Sequence, residues 1–293
     1  MITGSGDNDR NYHGVGAALG KHFATQGYYC LTWDKPGVGK STGDFNSQAF
    51  HDRANEVLAA VHFLQHLDGV DRRWVGAWGH SQGGMVAPLA ASLSNDVGFL
   101  IVVAGWQGPA WAQDAVRVEQ ELRAKGFNEA DVAEAARFAQ RRMDLIRGDL
   151  PFEVLDKEQE AVMSRRWFEA VHRCDRVLFE SARKLVNFDN SATWEQVKCP
   201  VLAIYGGKDV SSGPSEPLLA VIRHGLAKAA NDDLTIKLFA DADHDICRLQ
   251  SAEEKPEGRR AEKRGRGESP DFVPGYLECM SAWLNEHYEP RAD

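Results

Sequence analysis

Short apolar segments alternate with segments of helical periodicity in the first part of the chain, and this alternation restricts the fold more than any other feature. Apolar runs of strand length occupy residues 28–33, 74–78 and 97–104, and helix-spaced apolar positions occupy residues 14–26 and 48–67. Strands that are joined by crossover helices run parallel, and the helices then cover both faces of the sheet. The sequence therefore predicts an α/β fold with a mostly parallel sheet.

The same alternation resumes after a long interruption. Strands are predicted at residues 201–205 and 234–239, and helices at residues 216–228 and 274–287. These elements extend the same sheet, because they repeat the strand and helix spacing of the first part. The chain therefore contributes to one sheet from two separate parts of its sequence.

The interruption divides the chain into a core and an insertion. Residues 107–195 are rich in Ala, Glu, Arg and Gln and show no strand-like alternation, which favours helices. A chain of 293 residues can form one core with one insertion. We therefore expect a core of residues 1–106 and 196–293, with a helical cap at residues 107–195 inserted between two strands.

The charge balance argues against nucleic acid or anionic lipid as a partner. The net charge is -9 at pH 7, whereas a polyanion requires clustered Lys and Arg. The basic stretch at residues 259–266 is interrupted by Glu and Gly, so we interpret it as a solvated loop within a flexible second insertion at residues 251–271. No apolar stretch approaches the ~20 residues that cross a bilayer, so we expect no membrane span.

The sequence gives no sign of a metal or cofactor site. His62 and His66 are one helical turn apart, but they lack the Glu of an H-E-x-x-H motif and a third ligand. Residues 37–41 are similar to a phosphate loop, but Asp34 stands where the first Gly of that motif would be. The five cysteines include no C-x-x-C pair, which predicts reduced thiols and a cytoplasmic protein. We therefore expect neither a metal nor a cofactor.

A candidate nucleophile lies on a sharp turn between a predicted strand and a predicted helix. Residues 79–84 read Gly-His-Ser-Gln-Gly-Gly, and they follow the strand at residues 74–78 and precede a helical run. This is the G-x-S-x-G nucleophile elbow in the context that it requires. A serine on such a turn needs neighbours without a Cβ, which Gly79 and Gly83 supply. Ser81 is therefore the candidate nucleophile.

A serine nucleophile predicts a histidine base and an acid that orients this base, because a serine hydroxyl reacts poorly at neutral pH. Asp209 and His244 each directly follow a predicted strand, in the order acid and then histidine. Open α/β sheets place their sites at these carboxyl ends of strands. We therefore predict a triad of Ser81, His244 and Asp209. Three acids beside the histidine are rivals by proximity, although neighbours in a tight loop rarely point at the imidazole: Asp241, Asp243 and Asp245.

Acyl transfer at a serine also requires two N–H donors for the oxyanion that develops. The backbone N–H of Gln82, the residue after the nucleophile, is the usual first donor. The second is expected from an earlier loop, and residues 3–10 form the one Gly-bearing turn upstream of residue 28. We predict the Ser5 N–H as this donor, with Gly6 as the alternative.

Taken together, these motifs resemble the α/β-hydrolase family. The similar segments are residues 4–10, residues 34–43, residues 79–84 and the loops of Asp209 and His244. They look most like the bacterial serine esterase and peptidase-like branch, which carries GSGxxDRD and GHSxGG motifs. The resemblance covers residues 4 to 105 and 198 to 287, and the cap is unmatched.

The resemblance implies an α/β-hydrolase fold and a hydrolase that cleaves a carboxylic ester, thioester or amide bond without a cofactor. The substrate would be a small acyl compound, and the reaction would pass through an acyl-enzyme. Trp106, which directly precedes the cap, and Trp111 in the cap are expected to contact this substrate. Peptide or thioester hydrolysis by the same triad and a catalytically silent binding protein are the alternatives.

The beginning of the chain leaves the expected sheet incomplete. Three residues, Met1, Ile2 and Thr3, precede the oxyanion loop, and three residues reach ~10 Å at most. A strand usually has ~5–6 residues. We therefore expect the N-terminal strands to be missing and the edge beside residues 28–33 to be unpaired, which would allow a homo-oligomer.

Overall fold

Four parallel strands form the sheet in the computed structural model, which describes residues 1–249 and 270–288. Adjacent strands in the sheet are also consecutive in the chain. Their register pairs Ala77 with Leu100, Leu100 with Val201, and Val201 with Leu234. The strands are β1 (Ala77–His80), β2 (Leu100–Val103), β3 (Val201–Gly206) and β4 (Leu234–Phe239). This arrangement confirms the predicted α/β fold class.

Helices cover both faces of this sheet, because β1, β2 and β3 are buried along their whole length. Leu100 and Val102 face one layer of helices, whereas Ile101 and Val103 face the other. The first layer contains α2 (Phe50–Gln65), α3 (Gly83–Leu93) and α9 (Ser215–Lys228). The second layer contains α1 (Val15–Ala24) and α10 (Tyr276–His287).

Five further helices lie between β2 and β3 in the chain and pack around apolar clusters of their own. They are α4 (Ala110–Ala124), α5 (Glu129–Arg147), α6 (Phe152–Val162), α7 (Phe168–Val171) and α8 (Arg176–Leu185). Short 3-10 helices occur at Tyr12–Gly14, Phe45–Ser47 and Ala192–Gln196. Within the described ranges, none of the helices is sufficiently long and apolar to cross a bilayer.

Most of the predicted elements are confirmed within a few residues, but the predicted strand at residues 28–33 is wrong. This segment has no regular secondary structure. The Met1 amino group donates to Leu31 O at 2.8 Å, and Ile2 forms an isolated parallel bridge with Gly79. Met1 and Ile2 therefore lie between the segment and β1, and one hydrogen bond does not make a ladder. The apolar composition had indicated a buried strand, but none of these six residues is buried, and Tyr29 and Cys30 are exposed.

Two further differences concern boundaries. The strand predicted at residues 74–78 begins three residues later, at Ala77, and ends two residues later, at His80, so that Ser81 follows it directly. The predicted basic loop at residues 259–266 lies outside the described residues, and so do residues 251–269 of the predicted second insertion. The division into residues 1–106, 107–195 and 196–293 stays a prediction.

Helix α9 approaches the 3-10 helix at Ala192–Gln196 so closely that only glycine fits at residue 225. A Cβ on Gly225 would lie 2.3 Å from the Cβ of Trp194, which is fully buried. We predict that Gly225→Ala lowers the free energy of unfolding by ~1–3 kcal/mol, because the buried contact must separate.

Gly20 in α1 provides the matched control, since a Cβ there has no neighbour within 4 Å. We expect Gly20→Ala to leave stability unchanged or raise it by up to ~1 kcal/mol, the helix-propensity difference. Urea unfolding of both variants measures the two effects. Equal stabilities would contradict the proposed contact.

Candidate active site

Ser81 lies on a strained turn between β1 and α3. Its φ is 55°, in the left-handed region, which costs a residue other than glycine ~1–3 kcal/mol. A Cβ on Gly79 would lie 2.2 Å from Gly83 O, and a Cβ on Gly83 would lie 2.3 Å from Ile2 O. The turn therefore requires glycine at both positions and presents the Ser81 side chain beyond the end of the sheet.

Asp209 and His244 are brought together from the ends of β3 and β4. The His244 Nδ1 lies 2.9 Å from Asp209 Oδ2. The other carboxylate oxygen, Oδ1, accepts the backbone N–H groups of Ser211 at 2.7 Å and Ser212 at 3.0 Å. Because the carboxylate can only accept, Nδ1 carries the proton and Nε2 is the nitrogen that can act as a base.

The pKa values of this pair follow from its burial and its charges. Burial alone would lower the pKa of His244, but the charge and hydrogen bond of Asp209 outweigh it and raise this pKa above its ordinary value. Burial alone would raise the pKa of Asp209, but His244 and the two backbone N–H groups hold it below its ordinary value. The acid is therefore ionised at neutral pH, and it stabilises the imidazolium that forms when His244 takes up a proton.

The rival acids beside His244 have other partners. Asp243 Oδ1 accepts the backbone N–H groups of Asp245 at 3.0 Å and Cys247 at 2.9 Å, which shapes the loop. Asp245 Oδ1 lies 3.7 Å from the His80 Nε2. Neither carboxylate makes a hydrogen bond to the His244 ring, whereas Asp209 does.

The loop that contains Ser5 lies against the nucleophile. A Cβ on Gly4 would lie 3.2 Å from the Ser81 Cβ and 3.6 Å from its Oγ. The same Cβ would lie 2.5 Å from the Tyr12 hydroxyl, so residue 4 has no room for a side chain. No backbone acceptor among the described residues receives the N–H of Ser5 or of Gln82.

Ser81 and His244 line one cavity of about 330 Å³. Most of its lining side chains are polar: Ser5, Asn8, Tyr12, His13, His80, Ser81, Gln113, Arg117, Ser211, His244 and Asp245, with Val15 and Pro270 as apolar members. Gln113 and Arg117 come from α4, the first of the inserted helices. The cavity thus lies between the ends of the strands and this helix.

Trp106 and Trp111 do not line this cavity, contrary to the sequence-based expectation. Trp106 is buried in the core, and its Nε1 donates to Pro109 O at 3.0 Å. Trp111 packs in the cluster around α5 and α8, with the Arg147 guanidinium 5.0 Å from its ring centroid. The Trp106 ring therefore packs in the core, and the Trp111 ring stabilises the packing of the inserted helices.

The sequence reasoning missed His80 and Tyr12, which join three loops at the site. His80 Nε2 lies 2.9 Å from His244 O, and because a carbonyl only accepts, this nitrogen carries the proton. His80 Nδ1 then accepts the Tyr12 hydroxyl at 2.7 Å. Burial lowers the pKa of His80 to about 4, so the ring is neutral at pH 7. The position of His80 inside the G-x-S-x-G motif was the one available signal, and Tyr12 had none.

Comparisons with known proteins agree with the fold described above. The model of the alpha/beta hydrolase family matches residues 1–257. The 2,6-dihydroxy-pseudo-oxynicotine hydrolase is 17% identical with a TM-score of 0.52, covering 98% of this chain and 59% of that one. DcsB in complex with its substrate analogue is 16% identical with a TM-score of 0.56, covering 98% and 90%. Est1E from Butyrivibrio proteoclasticus, bound to ferulic acid, is 16% identical with a TM-score of 0.51, covering 97% and 85%.

At these identities the solved structures show a shared fold. The chain spans 59% of the length of the first of the three. A comparison with curated proteins finds no match. The substrates in these names are therefore properties of those proteins.

The contact between Asp209 and His244 can be tested through the histidine itself. We predict that Asp209→Asn lowers the pKa of His244, because the variant removes the charge that offsets burial. NMR titration of the histidine signals measures this shift.

Asp243→Asn is the control, since its amide oxygen can still accept the backbone N–H groups of Asp245 and Cys247. We expect it to lower the pKa of His244 by less than Asp209→Asn does. A larger decrease in Asp243→Asn would show that the wrong acid has been assigned.

Proposed function

Because the chain belongs to the α/β-hydrolase family, we propose that it is a serine hydrolase that cleaves a carboxylic ester or a related acyl bond. Ser81 is the nucleophile, His244 the base and Asp209 the acid that orients the base. One observation carries this proposal: His244, which a hydrogen bond of 2.9 Å joins to Asp209, lines the same cavity as a serine on a strained elbow. The chemistry follows from these positions.

In the first step, His244 Nε2 takes the Ser81 proton while Oγ attacks the acyl carbon. The negative charge that develops on the carbonyl oxygen accepts the N–H groups of Gln82 and Ser5. The tetrahedral intermediate then collapses to the acyl-enzyme, and the imidazolium returns its proton to the leaving alkoxide. Water repeats the sequence, with His244 as base, and releases the acid and the free Ser81 hydroxyl.

The choice of an ester over other acyl bonds follows the resemblance of the sequence motifs to the serine esterase branch. Peptide and thioester bonds can react by the same steps, so these hydrolases are the alternatives within the class. A silent binding protein is disfavoured, because such a protein has no need of a strained serine beside an oriented histidine. The class of substrate that the whole protein cleaves is part of the same proposal.

The cavity favours a compact substrate with polar groups. Its volume of about 330 Å³ is near the lower end of the ~300–1,000 Å³ that is common for ligand sites. Gln113 and Arg117 lie one helical turn apart on α4 and line the wall near Ser81 and His244. A small volume with polar side chains in its wall suits a short acyl group better than a long alkyl chain.

Ser81→Ala tests the nucleophile. We predict that it lowers the hydrolysis of p-nitrophenyl acetate by ~10³-fold or more and abolishes labelling by a fluorophosphonate probe. Circular dichroism should show an unchanged fold.

Ser211→Ala is the matched control, because Ser211 lines the same cavity and only its backbone N–H bonds to Asp209. It should retain labelling and most of the activity. Equal labelling of wild type and Ser81→Ala would reject the proposed nucleophile.

The size of the cavity predicts the acyl preference. We expect kcat/KM to be higher for p-nitrophenyl acetate and butyrate than for the palmitate ester by at least tenfold, since a cavity of about 330 Å³ has room for a short acyl chain but leaves most of a sixteen-carbon chain outside. Initial rates in dilute, micelle-free solution measure this order. A preference for palmitate would place the acyl chain outside this cavity.

A further inference from the structure

Two buried basic side chains lie behind the loop that carries Ser5. The residues Lys35 and Arg53 are only 5% and 7% exposed. Neither makes an ion pair with a carboxylate within 4 Å in the part of the chain that the structure describes. Burying a charge without a partner is costly, so the fold retains these two groups against a large desolvation penalty.

Lys35 binds the carbonyl oxygens on both sides of Ser5. Its Nζ donates to Gly4 O at 2.5 Å and to Gly6 O at 2.7 Å. Gly4 O belongs to the same peptide unit as the Ser5 N–H, and in a trans peptide these two groups point in opposite directions. A donor on the Gly4 oxygen therefore orients the Ser5 N–H away from Lys35. It also increases the polarity of this N–H group.

Arg53 connects the same loop to the nucleophile elbow. Its Nη2 donates to Thr3 O at 2.8 Å, and its Nη1 donates to Gln82 Oε1. Thr3 O shares a peptide unit with the Gly4 N–H, and Gln82 supplies the other candidate oxyanion donor. One guanidinium thus fixes the distance between the two walls of the oxyanion site.

We propose that Lys35 and Arg53 are positioning residues that hold and polarise the oxyanion donors of Ser5 and Gln82. This inference rests on the proposed serine hydrolase function. It extends that function by assigning a role to two basic side chains, Lys35 and Arg53, that lie outside the triad. Donors that are fixed before reaction need no reorganisation as the oxyanion forms, which is the main source of their effect.

The role of Lys35 does not depend on its protonation state. Burial, with a smaller contribution from the charge of Arg53, lowers the pKa of Lys35 to about 6. A neutral amine still carries two N–H groups, enough for Gly4 O and Gly6 O. Burial lowers the pKa of Arg53 to about 10, so its guanidinium stays charged at pH 7.

Lys35→Met tests the proposal, with kcat expressed per active site counted by fluorophosphonate labelling. We expect kcat for p-nitrophenyl acetate to fall ~10–100-fold with little change in KM, somewhat less than the loss of a complete oxyanion donor. The affinity for a boronic acid, which forms a tetrahedral anionic adduct on serine, should weaken in the same proportion. A purely structural role would lower the number of labelled sites and leave the rate per site unchanged.

Lys40→Met is the matched control, because Lys40 is an exposed lysine of the same loop. It should match the wild type in kcat and in boronate affinity. Arg53→Lys keeps the charge but cannot reach Thr3 O and Gln82 together, and we expect a decrease in kcat of roughly tenfold. This second variant decides the question if Lys35→Met does not fold.

The proposal is overturned if Lys35→Met leaves kcat and boronate affinity per site unchanged. If Lys35→Met does not fold, the same result in Arg53→Lys overturns it. The proposed function fails separately, if wild type shows no labelling at Ser81. Amide hydrogen exchange of residues 3–6 then decides the inference without activity. Faster exchange of this segment in Arg53→Lys than in Lys40→Met would support the two anchors, and equal exchange would reject them.

Discussion

The left-handed backbone of Ser81 is the constraint on which the rest of the site depends. The sheet and α3 maintain it, because the Ser81 N–H donates to Val103 O at 2.9 Å and Ser81 O accepts the Gly84 N–H at 2.9 Å. These bonds come from neighbouring elements that are themselves buried, so the strain of ~1–3 kcal/mol is spread over the core. A serine in a relaxed conformation would not stand clear of the strand end. Gly79 and Gly83 are therefore required for the proposed chemistry of Ser81 as well as for the fold.

The close approach at Gly83 also links the elbow to the first residues of the chain. Ile2 O lies where a Cβ of Gly83 would be, and Ile2 N donates to Trp78 O at 2.8 Å. Ser5 follows three residues later, in the loop whose Gly4 lies against Ser81. The side chains of Lys35 and Arg53 bind this loop from behind. The elbow and the loop of the proposed oxyanion donors are thus linked by the backbone contacts of Ile2 and by these two side chains.

The sequence predicted the sheet and the residues at its strand ends because both depend on local patterns. The carboxyl ends of parallel strands share one edge, so Ser81, Asp209 and His244 could be assigned to one region before their distances were known. Contacts between a side chain and a distant carbonyl leave no periodic signal, which is why Lys35 and Arg53 were missed. The rings of Trp106 and Trp111 were misassigned for a related reason. A tryptophan in the sequence indicates a buried side chain. Only the packing of the helices decides whether that side chain lies against the core, against another helix or in a cavity.

Ion pairs hold the part of the cavity wall that α4 supplies. The rigidity of this wall affects how the proposed site would select its substrate. Asp114 accepts Arg117 at 2.9 Å and also pairs with Arg142. Arg142 in turn donates to Val171 O and His172 O at 2.8 Å, so α4, α5 and α7 are tied together. Arg117 therefore has little freedom to move toward or away from a ligand. In the proposed hydrolase, selection would come from a fixed polar shape, since hydrophobic side chains that could adapt to different substrates are largely absent from the described wall.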